Sequence, residues 1–379
     1  MAIQVLKPQY RTEECLAEIK DCLDKGWTGL GYKTIHFEEA WKEYTGFNNA
    51  YFVNSATSGL HLAVKILKMK YNWIDGDECI TTPISFISGA HAISYENIKV
   101  VFADIDKYLC LDPEDIIKKI TNKTKAILYV GIAGNCGEYH KIVNICREHN
   151  LKLILDAAHM AGTRYNGEII GKEADVVIYS FQAVKNLPTA DSGMVCFKHK
   201  EQDELARKLA WLGINKDTYS RSTYKGSYKW KYTVDHIGYK YHGNSIMAAI
   251  GLVQLKYLDQ DNAYRRQLSI WYTNNLKNNT DIDIVPIYEG CESSSHIYII
   301  KVPNRDELLL SLNQHEIYPG VHYEISTAYD MYTYDYGTCP KAEKVRNNIL
   351  SLPLHLGITK KDVDFVCEKL IENIKIHKG

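Results

Sequence analysis

Short apolar runs alternate with amphipathic stretches through the first half of the chain. Residues 49–55 (NAYFVNS), 99–104 (KVVFAD), 125–130 (KAILYV), 152–155 (KLIL), 175–181 (DVVIYSF) and 193–197 (GMVCF) read as strands buried on both faces, and the stretch ahead of Pro83 ends another. Between them, helices are predicted from Leu60 to about Lys68, over 113–120 with a proline at the first position, and over 139–148. Upstream, Thr12 caps a helix over 12–24 in which Leu16, Ile19 and Leu23 recur at helical spacing, and 35–44 makes a second amphipathic helix. Strands alternating with helices predict an α/β fold: a three-layer αβα domain around a mostly parallel central sheet. Further on, 246–258 is apolar on most faces (Ile246, Ala248, Ala249, Leu252, Leu255), which predicts a buried or interface helix. A long helix from about 260, a strand over 296–302 and a helix over 305–315 predict a smaller C-terminal α/β domain. At 379 residues the chain exceeds one ordinary core. The expected division is a large domain over 1–245, N-terminal helices included, and a small one over 246–379.

Composition narrows the function classes. Apolar residues make up 45% and charged residues 24%, ordinary for a soluble globular protein. A net charge of −1 supplies no basic field for nucleic acid or an anionic membrane, and no window reads as a signal peptide or a membrane span. The ten cysteines are scattered, with no C-x-x-C pair and no His/Cys cluster at zinc spacing, so no metal is expected. They read as reduced thiols of a cytoplasmic protein.

Four features fall at the ends of the predicted strands. Ser55-Ala56-Thr57-Ser58-Gly59 follows a strand and opens a helix, where free N–H groups and small residues admit a phosphate; an ordinary Ser/Thr cap gives the same pattern. Phe86, after Pro83 at a strand-to-helix turn, is a core aromatic or a platform for a flat ring. Asp156 ends a buried strand, where open α/β sheets place ligands; it either caps the next turn or holds a heterocyclic nitrogen protonated, with His159 beside it. Ser180 ends the next strand, and Lys185 lies on the loop beyond. A lysine at the edge of a core is poorly solvated as a cation, so its pKa falls and its amine can attack a carbonyl. Phosphate, flat ring, ring nitrogen and aldehyde together describe pyridoxal 5′-phosphate (PLP).

These stretches resemble the DegT/DnrJ/EryC1/StrS family of nucleotide-sugar aminotransferases, which has the fold-type I aspartate aminotransferase architecture. The resemblance runs through N-S-A-T-S-G-L (54–60), T-P-I-S-F (82–86), D-A-A-H (156–159), Y-S-F-Q-A-V-K-N-L (179–187), G-Y-K-Y-H-G-N-S-I-M-A-A-I-G-L-V-Q-L (238–255), G-V-H-Y (320–323) and L-S-L-P-L-H (350–355). It implies that Lys185 is the Schiff-base lysine, Asp156 the partner of the pyridine nitrogen, His159 a neighbour of the ring hydroxyl and Phe86 the stacking aromatic. Ala56, Thr57 and Ser180 would bind the phosphate. Asn244 would reach the cofactor phosphate of a neighbouring subunit, implying a homodimer with shared active sites, and His322 and Tyr323 would line the substrate side. The implied reaction moves an amino group from an amino acid, L-glutamate by family, to a nucleotide-linked keto-sugar. A histidine in place of Lys185 would mark a sugar dehydratase. The segment Lys185–Gly193 resembles the shorter version found in enzymes that aminate C-4 rather than C-3. The chain departs from the family pattern at Ala56-Thr57-Ser58-Gly59, at His242-Gly243 and at Asp191-Ser192-Gly193, the last on the substrate side. The polar, aromatic segment 216–236, with Arg221, Lys225, Lys229 and Lys231, either meets a nucleotide diphosphate or packs at a dimer contact.

Overall fold

In a computed structural model, residues 2–216, 219 and 231–376 are described. Fifteen strands are defined among them. The central sheet uses β2 (Ala50–Val53), β3 (Glu78–Thr81), β4 (Lys99–Phe102), β5 (Thr124–Val130), β6 (Lys152–Asp156), β9 (Val176–Ser180) and β10 (Gly193–Phe197), in the order β2-β10-β9-β6-β5-β3-β4. Strands β4, β3, β5, β6 and β9 pair in parallel, and β10 runs antiparallel to both of its neighbours. Most of these strands are buried at every position, because helices cover both faces. This explains why they read as unbroken apolar runs rather than alternating ones. Each large side chain taken out of water here contributes about 1.5–3 kcal/mol; Trp41, Phe52, Phe102, Tyr179 and Phe181 are among those fully buried.

The order of strands fixes where a ligand can sit. The chain leaves β3 outward to β4, then returns to the other side of β3 to lay down β5, β6 and β9. A crevice therefore opens at the carboxyl ends of the strands where the winding reverses. Val130, Asp156 and Ser180 are the last residues of β5, β6 and β9 and point the chain into that crevice.

The smaller C-terminal domain is built on an antiparallel sheet, β11 (Asp283–Ile284), β13 (Tyr298–Lys301) and β15 (Ile349–Leu352), in the order β11-β13-β15. Its buried apolar cluster draws on Leu268, Tyr272, Ile300, Leu312, Leu350 and Val366, separate from the cluster around the central sheet. Two minor sheets tie the parts together: β1 (Ile3–Gln4) with β14 (Ile317–Tyr318), and β12 (Cys291–Glu292) with β7 (Arg164–Tyr165) and β8 (Glu168–Ile169). None of the helices of the described residues is long and apolar enough to cross a membrane.

Two local expectations are corrected. The helix Thr12–Asp24 forms, but Arg11 stands at its N-cap and Thr12 is its first helical residue. Within it, Cys15 and Cys22 are buried while Leu16 and Leu23 are 55% and 60% exposed, so the leucine stripe faces away from the protomer core. The sulfur atoms cover the inner face, and free cysteine packs as a small hydrophobe. Of the basic segment 216–236, Arg221, Lys225 and Lys229 lie outside the described residues.

Candidate active site

The helix Ala56–Tyr71 starts directly after β2, so its N-terminus opens at the carboxyl edge of the sheet. Ser55 caps it, its hydroxyl accepting from Ser58 N at 3.1 Å. The N–H groups of Ala56 and Thr57 have no intrahelical acceptor and stay available to an anion. Gly59 lets this helix lie on the sheet: a Cβ there would stand 2.7 Å from Val195 Cγ2. Gly193 brings β10 under the same turn, where a Cβ would stand 2.7 Å from Tyr179 O and 2.9 Å from Ala56 N.

Lys185 sits on a loop held at several points. Phe181 N donates to Ser192 O, Ala183 N to Ala190 O and Lys185 N to Gln182 O, at 2.8, 3.0 and 2.8 Å. The next residue, Asn186, is buried, and its amide donates to Asn262 Oδ1 and Ser294 O, each at 2.7 Å. Its Oδ1 must therefore accept from His296 Nδ1 at 2.8 Å.

Ala56, Thr57, Phe86, Asp156, His159, Ser180, Lys185, His322 and Tyr323 line one cavity of about 420 Å³. The structure thus brings together all but one of the residues singled out from the sequence. Asn244 stands elsewhere, as the N-cap of the helix Ser245–Leu255, accepting from Met247 N at 3.0 Å. Phe86 is 61% exposed at the cavity mouth, with its ring 6.1 Å from that of Tyr323.

Burial sets the electrostatics. It lowers the Lys185 amine to about 8, opposed by the charge of Asp156. It raises the Asp156 carboxyl to about 6, opposed by the bond from Ala158 N at 3.0 Å and by Lys185. His159 is pushed well below its ordinary value by burial, then by Lys185 and His322, so its ring is neutral. Burial likewise lowers His322 to about 4. Ala133 N donates to His159 Nδ1 at 3.2 Å, which places the ring proton on Nε2. That Nε2–H donates to the Tyr323 hydroxyl at 3.1 Å.

An amine near its titration midpoint, a buried carboxylate with one backbone partner and an open helix N-terminus make a site for a phosphorylated, cationic heterocycle with an electrophilic carbon. Residues 9–371 match the DegT/DnrJ/EryC1/StrS aminotransferase family. The chain belongs to that family and is a transaminase. It is 30% identical over 382 residues to dTDP-4-dehydro-2,3,6-trideoxy-D-glucose 4-aminotransferase of Saccharopolyspora spinosa, covering 99% of this chain and 97% of that one. The crystal structure of the aminotransferase TlmJ from Streptoalloteichus hindustanus superposes with a TM-score of 0.91 at 29% identity, over 100% of both chains. Helicobacter pylori PseC, an aminotransferase of pseudoaminic acid biosynthesis, gives 0.91 at 26% identity, over 99% of this chain and 100% of that one.

Several lining residues escaped the sequence reading. The His296 ring lies tilted against that of His159, with centroids 4.3 Å apart, and lines the same cavity, as do Leu6 and Gln182. The signal for His296 was a run of three serines and a histidine directly ahead of an apolar strand. Buried polar residues at such an entry need partners, and here Ser294, Asn186 and Asn262 supply them to one another.

Proposed function

We propose that this aminotransferase uses PLP to move an amino group from an amino acid, L-glutamate by resemblance, to C-4 of a nucleotide-linked 4-keto-6-deoxysugar. The observation that carries the reading is the sharing of one buried cavity by Lys185, Asp156 and the open N-terminus of the helix Ala56–Tyr71. The donor set suits PLP: Ala56 and Thr57 N–H groups and the Ser180 hydroxyl for the phosphate, Phe86 for one ring face, His159 for the ring hydroxyl. When bound, the cofactor supplies an aldehyde that captures amines and a ring that accepts electrons. Asp156 holds the ring nitrogen protonated; a cation there relieves a carboxylate that burial otherwise disfavours. Lys185, freed as an amine by the incoming donor, takes the proton from the donor carbon and returns it one position away, as general base and then acid. Its value near 8 suits both roles near neutral pH. His322 and Tyr323 face the sugar from the small-domain side.

The C-4 assignment is supported by the short loop Lys185–Gly193 and by the 4-aminotransferase from Saccharopolyspora spinosa. A homodimer with shared sites is supported by the outward Leu16 and Leu23 and by the exposed Phe86, and Asn244 is the residue proposed to reach the partner's cofactor. A separate C-terminal domain is supported by the second core, whose buried members all lie at or beyond Leu268, but Ala248 and Leu258 join the core of the central sheet, which favours a boundary later than the 245/246 division expected from the sequence. A cytoplasmic setting is supported by ten unpaired cysteines.

The test is the absorbance of purified, PLP-loaded protein before and after L-glutamate. A band at roughly 410–430 nm should move to about 330 nm, and Lys185→Ala should lose the conversion. The aminated enzyme is then offered nucleotide-linked 4-keto and 3-keto sugars and a keto-cyclitol. Turnover of the 3-keto sugar or cyclitol alone would overturn the C-4 assignment, and no band after PLP is supplied would overturn the whole reading.

A further inference from the structure

A second cavity of about 420 Å³ lies between the two domains, outside the site described above. Its walls are mostly apolar, with Ile132 from the large domain and Ile270, Val285, Ile297 and Tyr298 from the C-terminal part. Among the polar residues that also line it, Cys291 supplies a thiol. All ten cysteines lie within the described residues; nine are buried and Cys291 alone is partly exposed. Behind it lies Cys136, which is fully buried.

These two thiols come from different parts of the chain and are held side by side by their surroundings. Cys136 is in the turn after β5, and Cys291 is in β12. Buried Asn135 clamps the two segments: its amide donates to Pro286 O at 2.9 Å and its Oδ1 accepts from Tyr288 N at 3.1 Å. Cys291 N bonds to Tyr288 O at 3.0 Å, and its Sγ points at Gly134 O, 3.9 Å away. Each thiol is the largest influence on the ionisation of the other. Contact with Cys136 holds Cys291 below its ordinary value against the effect of burial, and contact with Cys291, then burial, raises Cys136. Cys291 is the thiol that solvent reaches and Cys136 is sealed behind it, which is the arrangement of an accessible cysteine with a resolving partner.

We propose that Cys136 and Cys291 form an oxidisable pair, in which a peroxide entering the interdomain cavity oxidises Cys291 and Cys136 closes a disulfide on it. In the first step the Cys291 sulfur displaces on the O–O bond, giving a sulfenic acid and releasing water or an alcohol. In the second, Cys136 sulfur attacks the sulfenic sulfur; the S–O bond breaks, an S–S bond forms and the thiol proton leaves with the hydroxyl as water. Two thiols are oxidised by two electrons and one peroxide is reduced. The bond would fix the segment around Cys291 to the turn whose Ala133 N–H orients His159.

The experiment is peptide mapping of the full-length protein after hydrogen peroxide at neutral pH, with free thiols blocked before digestion. The expected result is loss of two of the ten thiols and a linked peptide pair joining Cys136 to Cys291, reversed by dithiothreitol. In Cys136→Ser, Cys291 should be trapped by dimedone as the sulfenic acid, and in Cys291→Ser Cys136 should stay reduced. Oxidation of Cys291 to the sulfinic acid without a link, a link through Cys110 instead, or preferential oxidation elsewhere in the wild-type protein would each overturn the proposal. The wild-type map stands even if a serine variant folds poorly.

Discussion

Tyr323 and His159, 164 residues apart, share a 3.1 Å hydrogen bond in which the ring Nε2–H donates to the phenol oxygen. Its direction follows from Ala133 N–H, which occupies the other ring nitrogen. A residue of the C-terminal part is thereby fastened to the carboxyl edge of the central sheet, at the wall of the cavity.

Tyr323→Phe removes the acceptor and leaves a buried N–H without a partner, a loss of about 1–3 kcal/mol. Urea denaturation of the cofactor-free protein should show that drop in stability. Wild-type stability in the variant would mean that the bond contributes nothing to joining the two parts.

Lys185 supplies a pH prediction for the cofactor-free enzyme. Burial disfavours its cation, so the neutral, nucleophilic amine dominates above about pH 8 rather than above the ordinary lysine value. The rate of PLP capture should rise with pH and level off with a midpoint near 8. Stopped-flow absorbance across pH 6–10 reads it directly. A rate still climbing at the top of that range would mean the amine is solvated like a surface lysine.

Much of this site was legible in the sequence because its residues sit at strand ends, and strands buried on both faces announce their ends sharply. Ser55–Gly59, Asp156 and Ser180 were placed by that logic alone. What stayed hidden was set by long-range packing. Nothing local to Ala133 says that its N–H fixes the His159 tautomer, or that the His296 ring comes to pack against His159 from a segment more than a hundred residues away. The leucine stripe of the helix Thr12–Asp24 failed for a related reason: periodicity identifies an apolar face but not whether the protomer's own core covers it, and here Cys15 and Cys22 turn inward.

Asp156→Asn separates stability from function. The Asn side-chain oxygen can still accept from Ala158 N, so the turn is kept. Burial raises the Asp156 carboxyl to about 6, from 3.8. Between those values the folded state binds more protons than the unfolded one, so the folded state loses stability as pH rises and carries that cost at neutral pH. The shift corresponds to roughly 3 kcal/mol. The cofactor-free variant should therefore be as stable as wild type at pH 7, or more so, with less loss between pH 4 and 6. The glutamate half-reaction should slow by one to two orders of magnitude, about 1.5–3 kcal/mol for a lost charge-assisted hydrogen bond. Equal rates would show that the carboxylate does not act on the ring nitrogen.

Gly193→Ala tests the phosphate end without touching any titrating group. The new methyl would come within 2.7 Å of Tyr179 O and 2.9 Å of Ala56 N, both backbone atoms that have little room to give. β10 must then move away from β9, or the first turn of the helix Ala56–Tyr71 must lift from the sheet. Overpacking of this kind costs about 1–3 kcal/mol. The second movement would also carry the Ala56 and Thr57 N–H groups away from the phosphate. The expected outcome is a higher Kd for PLP by about tenfold or more, 1.4 kcal/mol per decade, with the Lys185 titration midpoint unchanged in the cofactor-free protein. If stability falls while PLP affinity holds, the strain is taken up between β9 and β10 and the first turn of the helix stays in place.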